Sequence, residues 1–107
     1  MEPEFILLSP WQEPHSAPGL LHELQRELPP GHELYGKPVT ALAVARDRDD
    51  ILFAVAESGV TKYAVVHLTW SRKEERLPCP HTRLFDSLSE WIDYMKADHE
   101  DYTFGDQ

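Results

Sequence analysis

One histidine interrupts an otherwise apolar run, Tyr63 to Trp70, "YAVVHLTW". Imidazole exchanges a proton near neutral pH, so His67 is the first candidate for acid–base or hydrogen-bonding chemistry. In an extended backbone alternate residues share a face. His67 then sits with Tyr63, Val65 and Thr69, and Trp70 sits with Ala64, Val66 and Leu68 on the other side. Thr69 would orient the ring and Trp70 would wall the opposite face. The competing expectation is a structural histidine whose ring is satisfied by a neighbour, as buried polar groups are.

Further along, Cys79-Pro80-His81 brings a thiol and an imidazole close in sequence. A thiol becomes a nucleophile when a nearby base or positive charge favours the thiolate, which makes Cys79 and His81 candidates beside His67. As metal ligands the three would lack the paired C-x-x-C spacing of structural zinc sites, so no metal and no cofactor is expected. Glu74 and Glu75 stand between Arg72, Lys73 and Arg76. Glu74 is a candidate acid, although a carboxylate pair working as acid and base needs an apolar pocket, and this run reads as solvated charge. Asp47, Asp49 and Asp50 lack the glycine and terminal glutamate of a twelve-residue calcium loop.

The segment "GHELYGKP" matches most of a phosphate-binding loop. That loop works between a strand and a helix N-terminus and needs a hydroxyl for magnesium, whereas here a helix precedes, a strand follows and Pro38 holds the hydroxyl position. A turn with glycines in left-handed backbone is the better reading. His32 and Tyr35 in this turn join His67, Thr69 and Trp70 as binding candidates, and the catalytic candidates are His67, Glu74, Cys79 and His81.

These residues need elements to position them. Leu20, Leu21, Leu24 and Leu28 form a helical stripe within Ala17 to Leu28, with Glu23, Gln25, Arg26 and Glu27 assigned to the outer face, and Pro29-Pro30-Gly31 ends the helix. Val39–Arg46, Ile51–Ala56 and Lys62–Trp70 read as strands joined by connections short enough for hairpins. Phe5 to Leu8 reads as a fourth strand or an extended segment. Ser87 to Lys96 reads as a second helix with the S-x-x-E spacing of a capping box and with Leu88, Trp91, Ile92 and Met95 on one face. The expected fold is α+β, a three- or four-stranded mainly antiparallel meander with two helices packed on it. The chain reads as one domain over residues 1–107, with an acidic tail at 97–107 whose Tyr102 and Phe104 suggest packing back.

Nineteen acidic residues against ten basic ones give a net charge of −9, which repels a phosphate backbone and favours a basic partner. Nucleic acid is therefore not an expected partner, and no apolar run approaches the roughly 20 residues needed to cross a bilayer, so no membrane is expected. One cysteine excludes an internal disulfide, and the N-terminus lacks a signal-peptide pattern, so a cytoplasmic location is expected.

The segments "GHELYGKPV", "ILFAVAESGVTKYAVVHLTW" and "EERLPCPHT" resemble an uncharacterised family of small stand-alone bacterial proteins. In that family a G-H-x-L-Y-G segment precedes a strand ending V-V-H-L-T-W, with a P-x-T element after it. The matching positions are Gly31, His32, Leu34, Tyr35, Gly36, Val65 to Trp70, Pro80 and Thr82. The resemblance implies a bacterial source and assigns no activity. The function expected from these features is that of a small acidic binding protein, of the immunity or antitoxin type, that covers a basic protein surface. The alternatives are a small enzyme or ligand-binding domain using His67 and its loop neighbours, and a self-associating structural domain.

Overall fold

A computed structural model describes residues 6–104. Its elements are β1 (Trp11–Gln12), α1 (Ala17–Glu27), β2 (Val39–Ala45), β3 (Asp50–Glu57), β4 (Val60–His67), β5 (Thr82–Phe85) and α2 (Leu88–Phe104). The strands form one antiparallel sheet in the order β1-β2-β3-β4-β5, so the α+β meander is present with five strands, not three or four. The extra pairings come from both ends. Ile6 to Leu8 are not strand; the chain turns at Ser9-Pro10 and a two-residue strand begins at Trp11. At the other edge Thr82–Phe85, too short to show periodicity, pairs with β4.

The two helices lie on opposite faces of the sheet. Ile51, Phe53 and Val55 of β3 and Ala64 and Val66 of β4 pack on Leu20, Leu24 and Leu28 of α1. Leu52, Tyr63, Val65 and Phe85 pack on Trp91 and Met95 of α2. A bulge between Ala41 and Ala43 shifts the register of β2, which turns Ala43 and Ala45 to the α2 side beneath Trp11. There Trp11 meets Trp91 edge-on at 5.5 Å.

Local chemistry explains most boundaries. Ser58-Gly59 closes the β3–β4 hairpin with φ of 51° and 79°, the primed-turn geometry that suits the twist of paired strands. Gly31 and Gly36 take φ of 94° and 76°, so "GHELYG" is the expected turn, and its Lys37 pairs with Glu57 at 2.8 Å. The Glu90 N–H donates to Ser87 Oγ at 3.2 Å, and Glu90 returns a carboxylate oxygen to the Asp86 N–H at 2.7 Å, a capping box displaced by one residue. The helix expected to stop at Lys96 continues to Phe104, taking up much of the acidic tail. Phe5 and residues 105–107 lie outside the described part. No described helix is long and apolar enough to cross a membrane.

Candidate functional site

The hairpin register decides what surrounds His67. Counting back from the Ser58–Gly59 turn places Asp50 directly opposite His67, and the β4–β5 pairing of Val66 with Thr82 brings His81 to the other side, where the His67 N–H donates to the His81 carbonyl at 2.9 Å. Asp50, His67 and His81 therefore form a row across three strands. The next row on that face is Leu52, Val65 and Arg83.

His67 Nδ1 lies 2.9 Å from Asp50 Oδ1. A carboxylate only accepts, so Nδ1 donates and Nε2 is left without a hydrogen bond among the described residues. The His67 side chain is 52% exposed, so it is not buried in the core, while the bond to Asp50 is the neighbouring partner that a structural histidine was expected to have. Asp50 is itself held by Arg48 Nε at 2.6 Å, and Arg48 reaches Asp98 at 2.6 Å and Asp47 at 2.9 Å while lying over the Trp11 ring. Trp11 Nε1 donates to the same Asp98 oxygen at 2.8 Å. Burial works against the Arg48 charge, but the bonds to Asp98 and Asp50 outweigh it and hold its pKa above the usual arginine range. An aspartate anchored in this way fixes the imbalance of the imidazole: one nitrogen is committed and the other is free to take or give a proton.

His67, His81, Asp50, Arg83 and Tyr94 line a concavity of about 250 Å³. The thiol of Cys79 is 3.8 Å from His81 Nε2, yet Cys79 belongs with Glu74 to a separate charged concavity of about 570 Å³. The catalytic candidates thus divide: His67 and His81 line one concavity, Cys79 contacts His81 from the neighbouring one, and Glu74 lies with Cys79 apart from His67. Among the described residues no group of three His, Cys, Asp or Glu side chains is arranged to hold a metal.

The binding candidates divide as well. His32 is buried on the α1 side; its Nδ1 accepts the Leu34 N–H at 3.1 Å, which leaves Nε2 to donate to the Pro80 carbonyl at 2.9 Å. One nitrogen closes the turn on itself and the other ties it to the Pro80 loop. Tyr35 is exposed away from the row. Thr69 and Trp70 sit on the loop after β4, and Trp70 walls a groove of about 400 Å³ with Leu20, Val44 and Ile51, between α1 and the β2–β3 end of the sheet.

That loop is positioned by two residues that the sequence reading sent to the solvent face. Glu23 and Glu27 are fully buried. Glu27 accepts the N–H groups of Thr69 and Trp70 at 3.0 and 2.8 Å, and Glu23 accepts the Arg72 N–H at 3.0 Å and pairs with Arg26 at 2.6 Å. The two carboxyls are also in contact. The hydrogen bond from Glu27 holds Glu23 below the usual carboxylate range, and burial followed by the nearness of Glu23 pushes Glu27 above it. Trp70 and Arg72 take φ of 56° and 63°, a conformation that residues with a Cβ rarely adopt and that these carboxylates hold in place. A signal was present in the spacing: residues 20, 23, 24, 27 and 28 share one helical face, so both glutamates fall on the leucine stripe. Likewise, the two-residue turn at Ser58–Gly59 already places Asp50 beside His67. Arg83 had no such signal, because β5 is too short to reveal its face.

No family model matches the chain, and neither a curated protein nor a solved structure is similar to it.

Proposed function

We propose that this chain is a small acidic binding protein of the bacterial cytoplasm that covers a basic protein surface, in the manner of an immunity or antitoxin inhibitor. The observation that carries this reading is the outward face of α2. Glu90, Asp93, Glu100 and Asp101 are all exposed there and Lys96 is the one cation among them. The inward face is anchored by Trp91 and Met95 in the core, so the acidic ridge is held on a rigid element. Rigid presentation lowers the ordering cost of association, and a single sign of charge speeds encounter with a basic partner. The test is affinity capture from bacterial lysate with wild type and with Glu90→Lys/Asp93→Lys/Glu100→Lys. A stoichiometric basic partner, weakened by salt and lost with the triple variant, supports the reading.

The Asp50–His67 pair favours a second reading, a ligand-binding or catalytic site on the sheet end. An imidazole oriented by a fixed carboxylate, with its second nitrogen open to a concavity, is suited to proton transfer or to accepting a hydrogen bond. Retention of a small molecule at His67 and His81, lost on His67→Gln with the fold intact, tests it.

A further inference from the structure

Resting on the second of these readings, we propose that the concavity at the β3–β4–β5 end binds the oxyanion of a small ligand, a phosphate or carboxylate group, with Arg83 as its principal contact. Arg83 follows the His67–His81 row on the same face, and its guanidinium lies 5.4 Å from the centre of the Phe85 ring and 5.0 Å from that of Tyr94. Stacking on two rings holds a planar cation in place and leaves its N–H edge free. Among the described residues no carboxylate lies within ion-pairing distance of it.

Lys37 pairs with Glu57, Arg48 with three aspartates and Lys62 with Asp86, whereas Arg83 shares its lack of an ion pair among the described residues with Arg46 and differs from it in being stacked on two rings at the edge of a concavity. The one carboxylate that lines the concavity, Asp50, is already committed to Arg48 and His67, so it does not cancel Arg83. What remains facing the space is a fixed guanidinium, which only donates, and two imidazoles, whose ring nitrogens donate to an anion in the protonated form. Arginine's fork of N–H groups matches the paired oxygens of a carboxylate or phosphate, and His67 Nε2 and the His81 ring extend that set from the neighbouring row. The net charge of −9 restricts the ligand to a small one, since a polyanion such as nucleic acid would be repelled by the rest of the surface.

The test is a titration of the full chain followed by amide and imidazole NMR signals, with inorganic phosphate and with acetate, against chloride at matched ionic strength. Saturable shifts confined to residues 50, 65–67 and 81–83, weakened at least tenfold in Arg83→Gln and less in His67→Gln, are expected. Saturation by one anion and not the other supports the proposal and identifies the group. Far-UV circular dichroism of both variants establishes that the fold is retained; because both side chains are exposed, at least one variant retains it. Absence of saturation by either anion, or equal affinity in wild type and Arg83→Gln, overturns the proposal. A parallel screen of neutral fragments separates the two ideas. A neutral molecule that saturates the same residues where the anions do not leaves the ligand-site reading standing and removes the anion, whereas no saturation by any of them removes both.

Discussion

Replacing Glu27 by alanine removes the acceptor for the Thr69 and Trp70 N–H groups, and with it the main tie between α1 and the loop after β4. A buried N–H left without its acceptor costs roughly 1–3 kcal/mol, so the two together give about 2–6 kcal/mol. Removal also relieves the burial and the contact with Glu23 that push the Glu27 pKa up, and that relief offsets part of the loss. A net destabilisation of about 2–4 kcal/mol is expected, which for a domain of this size lowers the melting temperature by roughly 10–25 °C. Urea and thermal unfolding, followed by circular dichroism, measure it. The sign of the pH dependence adds a second check. Because the folded-state pKa of Glu27 is raised, its contribution is fully present below the unfolded value and is lost as pH rises through the folded one. Glu23, with a lowered pKa, contributes above the unfolded value and loses that contribution as pH falls through the folded one. The stability gap between wild type and Glu27→Gln should therefore narrow as pH rises through the raised pKa of Glu27. A Glu27→Ala protein within about 0.5 kcal/mol of wild type would refute the loop-anchoring role, since that is the range of ordinary surface substitutions.

Three further outcomes follow from the same geometry. His32→Ala leaves the Leu34 N–H and the Pro80 carbonyl without their ring partner and should cost about 2–4 kcal/mol in urea unfolding, whereas a surface histidine would cost almost nothing. Arg72→Gly keeps the N–H that Glu23 accepts but removes the Cβ from a backbone at φ 63°, and should raise stability by about 0.5–1 kcal/mol; a loss would mean that the Arg72 side chain contributes more than the strain costs. Ser87→Ala removes the acceptor for the Glu90 N–H at the start of α2 and should cost about 1 kcal/mol, with helix content otherwise retained.

The elements with a strong internal period were legible. β2, β3 and β4 fall within a residue or two of the apolar runs except at the end of β4, which begins at Val60 directly after the turn and stops at His67, not Trp70. α1 and the start of α2 follow their leucine and Trp91 stripes. What escaped was short or long-range. β1 and β5, two and four residues long, carry no period of their own and exist because β2 and β4 offer free edges. α2 runs on through Asp98, His99 and Tyr102 because tertiary contacts support it: Asp98 binds Trp11 and Arg48, and His99 donates to the Ser9 carbonyl at 2.7 Å. Glu23 and Glu27 were assigned to solvent by residue type. Their partners are N–H groups of a loop more than forty residues away, and backbone donors leave no mark in a sequence. For His67 the strand context suggested burial, whereas its place at the last position of β4 leaves the ring half exposed beside Asp50.

The most direct test of a basic protein partner is capture from lysate at low and moderate salt with wild type and with the α2 variant Glu90→Lys/Asp93→Lys/Glu100→Lys side by side. The acidic ridge predicts one stoichiometric basic protein, weakened by salt and absent from the variant whose fold is intact. A partner retained equally by both proteins, or no partner for either, would contradict it.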